Sequence, residues 1–66
     1  MYVFTAAQLA ASWPGHEGEK VTFTSQGTEH TGVLDSAFPS HDEPLTHLIV
    51  GADHIVVNDD VIVTVG

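Results

Sequence analysis

From Lys20 onward the chain alternates between apolar and polar positions. Val21 and Phe23 stand against Thr22 and Thr24, a period of two that predicts a half-buried strand over about 20–25. Gln26-Gly27-Thr28-Glu29 reads as a turn, and His30 to Phe38 as a second strand over about 30–38, with Gly32 marking a bulge or bend. The stretch from Phe38 to Pro44 holds two prolines and two carboxylates and predicts an exposed loop. Beyond it, apolar runs predict strands over about 45–50, 54–57 and 61–65. They are separated by Gly51-Ala52-Asp53 and by Asn58-Asp59, the latter read as the turn of a tight hairpin between the last two strands.

Before Lys20 the period is different. Tyr2-Val3-Phe4 is apolar and extended in character. Thr5-Ala6-Ala7-Gln8 then fits a capping box, and Phe4 and Leu9 stand where a hydrophobic staple places its two residues. Ala6, Leu9, Ala10 and Trp13 follow at helical spacing, and Pro14-Gly15 stops the run. These signals predict a helix over about 6–12. Two turns are not stable alone in water, so the Leu9/Trp13 face must pack on the strands. The expected core is Leu9, Trp13, Val21, Phe23, Val33, Ile49, Val56 and Val63.

The pattern as a whole predicts a mostly-β fold: one domain over 1–66, with a short N-terminal helix followed by a five-stranded antiparallel small barrel or strongly bent sheet. Val21-x-Phe23 followed by Gly27-x4-Gly32-x-Leu34 resembles the first motif of the Sm-like barrels, and the order of one helix then five strands resembles Sm-like and SH3-like folds generally. The resemblance implies the fold. It does not carry over the family's RNA-binding residues: the positions after Leu34 hold Ala37, Phe38 and Pro39, and the chain has no Arg for the second motif.

Charge narrows the choice of partner. Nine carboxylates face one base, Lys20, for a net charge of −8, and charging all five His would leave the chain negative. Nucleic-acid binders draw most of their affinity from Lys and Arg on phosphates, so direct DNA or RNA binding is not expected, nor is binding to an anionic membrane. A basic protein surface is the natural partner. There is no Cys, which excludes disulfides and thiolate metal sites. No apolar run reaches membrane-spanning length and the first residues do not read as a signal peptide, so a soluble, cytoplasmic protein is expected.

Three features carry candidate chemistry. His41, Asp42, Glu43 and His47 offer two imidazoles and two carboxylates within seven residues, weak candidates for a divalent metal, with His47 read alternatively as a core or rim residue beside Leu45 and Ile49. Asp59-Asp60 suit a tight turn, or together with Glu17, Glu19, Asp42, Glu43 and Asp53 form rows of carboxylates that imitate phosphates. Val61 to Val65 is the most apolar segment. It reads either as a central strand or as an edge, with Ile62 available to pair with another chain. No nucleophile elbow, phosphate-binding glycine loop or dinucleotide fingerprint is present, so neither an enzyme nor a cofactor is expected. The reading is a small acidic protein-binding module, a regulator or inhibitor of a basic partner, with Asp42, Glu43, Asp59, Asp60 and Ile62 as binding residues. The alternatives are a nucleic-acid mimic, an Sm- or SH3-like nucleic-acid binder, and a homo-oligomeric subunit joined through the C-terminal strand.

Overall fold

The computed structural model describes residues 1–66. Strand β1 (Tyr2–Thr5) leads into helix α1 (Ala6–Ser12) and a 3₁₀ turn (Trp13–Gly15). Five strands follow: β2 (Lys20–Ser25), β3 (Thr28–Pro39), β4 (Leu45–Val50), β5 (Asp53–Asn58) and β6 (Ile62–Val65). They form one antiparallel sheet in the order β1-β6-β2-β3-β4-β5. The sheet is bent but not closed, because β1 and β5 stand at its two free edges.

Helix α1 begins at the expected residue, and its start is fully satisfied. Thr5 accepts from the Gln8 amide (3.2 Å) and the Gln8 side chain accepts from the Thr5 amide (3.0 Å), completing the capping box. The other two free amides of the first turn are taken by the segment between β5 and β6: Ala6 donates to Val61 O (2.8 Å) and Ala7 to Asp59 O (3.1 Å). A helix leaves four amides without intrahelical partners at its N-terminus, and here two are met locally and two by a segment fifty residues away. Leu9 then points into the core, fully buried.

Strand β3 makes the bend. Its first half pairs with β2 and its second with β4, with a register shift between Leu34 and Ser36 that leaves Asp35 as the extra residue. The irregularity therefore lies three residues beyond Gly32, the expected position. It breaks the alternation, so Leu34 and Ala37, three apart, both face inward. Gly32 stays in register opposite Val21 and serves packing instead: a Cβ there would stand 2.6 Å from Val50 Cγ1. The β2–β3 connection is a two-residue turn, Gln26-Gly27, with φ of +52° and +78°. Two successive left-handed residues fit the tight primed turn that matches strand twist.

The core comprises Ala6, Leu9, Val21, Phe23, Leu34, Ala37, Leu48, Val50, Val57, Val63 and Val65. Four of the eight expected core residues lie within it. Trp13 is only half-buried and packs at its margin, while Val33 and Val56 are 53% and 41% exposed. On β4 the buried residues are Thr46, Leu48 and Val50, so Ile49 faces outward with Leu45 and His47. Because β4 is apolar on both faces, its sequence does not say which face is inside.

Two further expectations are corrected by the topology. Tyr2–Thr5 is a sixth strand, paired with β6. The last two strands do not form a hairpin: β5 ends at one edge, and the turn after it carries the chain across to β6, which lies between β1 and β2. The C-terminal strand is thus paired on both sides and is not an edge. Only its outer face is open, where Ile62 is 55% exposed.

Candidate functional site

The carboxylates singled out in the sequence come from two segments that the fold brings together. The loop after β3 (residues 40–44) and the turn after β5 (residues 59–61) meet at one end of the sheet, where the Asp59 amide donates to Pro44 O (3.1 Å). Asp42, Glu43 and Asp60 are exposed there. Asp59 differs from them. Its Oδ1 accepts from the Thr46 hydroxyl (2.7 Å), and Thr46 is the only buried polar residue of the core. A buried hydroxyl without a partner is costly, so Asp59 holds the turn to β4 as well as contributing charge.

The expected metal candidates do not converge. His41 is 98% and Asp42 86% exposed at 3.9 Å from one another, and no three His or carboxylate side chains gather at one point. His47 is on the face shared with Leu45 and Ile49, as expected, but that face is the outer one.

The outer face of β3, β4 and β5 carries a cluster that sequence reasoning did not assemble. Phe38, His47 and Val56 stand opposite one another on three successive strands. The Phe38 and His47 rings are stacked, with centroids 4.9 Å apart and planes 7° from parallel. His47 Nε2 is hydrogen-bonded with Ser40 Oγ (2.8 Å), and His47 Nδ1 with His54 Nε2 (2.8 Å). The signal was available. Gly51 (φ +61°) opens a two-residue turn, so Ile49 faces His54 and His47 faces Val56, which puts both His on one face as diagonal neighbours. Reading the turn as three residues hid this.

At the free edge of β5 the failure of the sheet to close leaves open grooves. One of about 340 Å³ runs between Thr24–Gln26 and Val56–Asn58. A second, of about 370 Å³, lies between the β2–β3 turn and His54–Val56. They are clefts between a strand edge and a hairpin tip rather than enclosed cavities. No helix is long and apolar enough to cross a membrane. Comparison with family models, with curated proteins and with solved structures finds no match to this chain.

Proposed function

We propose that this chain is a small, acidic, non-enzymatic protein-binding module of the Sm-like or SH3-like kind, which takes a basic extended segment of a partner along the free edge of β5. The fold assignment draws support from the strand order. Setting β1 aside, β6-β2-β3-β4-β5 behind a short helix, with one long bent strand shared by the two halves, is the arrangement that the Val21-x-Phe23 and Gly27-x4-Gly32-x-Leu34 resemblance implies.

The observation that carries the binding reading is the setting of β5. It is unpaired along one side, opens onto the grooves beside the β2–β3 turn, and has carboxylates at both ends: Asp53 at its start, and Asp60 after it beside the loop of Asp42 and Glu43. An unpaired strand offers a row of backbone donors and acceptors to an incoming chain. Carboxylates at its ends select a chain rich in Lys and Arg and speed the encounter.

The test is a titration of isotope-labelled protein with an extended Lys/Arg-rich peptide, at low and at physiological salt. Saturable shifts on β5, on residues 24–28 and on the loop around Asp42 are expected, with affinity falling as salt rises because exposed charges are screened within about 8–10 Å. Asp42→Asn, Glu43→Gln and Asp60→Asn together should weaken binding without altering stability. Shifts confined to the β1 edge, or affinity indifferent to both salt and the three substitutions, would rule the reading out. The carboxylates would then serve only to guard an edge against self-pairing.

A further inference from the structure

We infer that the segment received at the β5 edge is not uniformly basic: it carries one large apolar side chain, seated in the groove beside Val56 and Val57, with a Lys or Arg two or three residues away in the acidic hollow beyond Asn58. The inference rests on the docking proposed above and adds what the docked segment must contain. The backbone sets where that segment lies. The Asp59 amide donates to Pro44 O, and Asp53 closes the turn opposite Val50. Hydrogen-bonding groups alternate sides along a strand, so Asp53, Ile55, Val57 and Asp59 turn theirs to β4, while His54, Val56 and Asn58 turn theirs to the open edge. The Val61 amide takes the Asn58 carbonyl (3.1 Å), so the docking row runs from His54 to the Asn58 amide. The β1 edge offers less. Ala6 donates to Val61 O, so by the same alternation Val3 and Thr5 face outward there, and the Thr5 amide is already held by Gln8.

Three depressions follow this row, and neighbours among them share residues. The middle one, of about 340 Å³, has Leu45, Val56, Val57 and Val61 as its apolar lining under a rim of hydroxyls and amides, and no charged side chain lines it. Asn58 also lines the next hollow, of about 360 Å³, whose other walls are Pro44, Asp59 and Asp60. On the opposite side Val56 is shared with the groove that holds His30 and His54. A lysine ammonium in the middle groove would lose water without meeting a carboxylate, which is costly. A Leu or Ile side chain there removes apolar surface of both partners from water. The cation belongs one step along, where Asp60 is exposed and Asp59 has Oδ2 left over once Oδ1 holds Thr46. Residues two apart on an extended chain point to the same side about 6.6 Å from one another, which sets the spacing of anchor and cation.

The experiment titrates the isotope-labelled intact chain with short Lys- and Arg-bearing peptides identical except at the central residue, which is Leu, Ala or Lys. The Leu peptide should bind about tenfold more tightly than the Ala peptide at physiological salt, from the methylenes it adds to the groove. Methyl signals of Leu45, Val57 and Val61 should shift most in the Leu complex. Raising salt should weaken both peptides and leave their ratio unchanged, because apolar burial is not screened as charge is. Val56→Thr, at a 41% exposed position, should cut the preference to about threefold, while Val33→Thr, exposed and outside the groove, leaves it intact. The peptide series on the parent chain requires no variant to fold. Equal affinities for the three peptides with shifts still on β5 would overturn the inference and leave the charge-led docking standing. Binding of the Leu peptide on the Phe38 and His47 face would overturn it as well. If none of the peptides bound along β5, the docking itself would fall and the inference with it.

Discussion

At the scale of single residues, contacts rather than residue type decide which positions matter. Gly32 illustrates this: its backbone is in ordinary strand register, yet Val50 Cγ1 occupies the space where a Cβ would go. Gly32→Ala should cost about 1–3 kcal/mol in chemical denaturation, the usual range for overpacking a core. Val50→Ala in the same chain should recover part of that loss. If the double variant were simply the sum of the singles, the clash would not be the cause. Thr46 and Asp59 are a second case. Thr46→Val keeps shape but removes the hydroxyl that donates to Asp59, and should cost about 1–2 kcal/mol by the same measurement. Asp59→Ala, which removes the acceptor of the Thr46 hydroxyl, should be destabilising where Asp60→Ala is not, which separates two adjacent carboxylates that look equivalent in the sequence.

Among the elements, the helix depends most on the rest of the molecule. Seven residues cannot hold a helix in water, and α1 persists because Leu9 is fully buried and the turn of residues 59–61 satisfies two of its amides. Thr5→Ala removes one arm of the capping box and should cost about 1 kcal/mol, seen as a lower melting temperature. Leu9→Ala should cost about 2–5 kcal/mol, and more than Trp13→Ala, because Leu9 has no exposure whereas Trp13 is only partly buried at the core's margin. The reverse order in a thermal unfolding series would show that the helix docks through its last residue rather than its first turn.

For the whole molecule, charge is the dominant long-range term. Nine carboxylates, offset by a single lysine, repel one another on a body of 28 × 26 × 22 Å, a cost screened by salt. The melting temperature should therefore rise as salt is raised from a few millimolar toward physiological strength, while affinity for a basic peptide falls. Opposite responses of stability and binding to one variable are the signature of an acidic surface used for recognition. A melting temperature insensitive to salt would mean that the carboxylates are too far apart to matter to the fold.

What the sequence determined by itself was local. The capping box and staple located α1, alternation located β2, and Gly and Pro placed the interruptions, because each is governed by neighbours within four residues. The tertiary structure decided what local pattern leaves open. Strand β4 carries apolar residues on both faces, and only its register with β3, shifted at Asp35, puts Leu48 and Val50 in the core rather than Ile49. Tyr2–Thr5 is extended in character by its sequence, but its pairing with β6, sixty residues on, is a tertiary fact. The acidic end and the His47–His54 pair were visible as residue types, but not as neighbours. Proximity there depends on strand register and on a chain crossing between sheet edges, and neither is written in any window short enough to read.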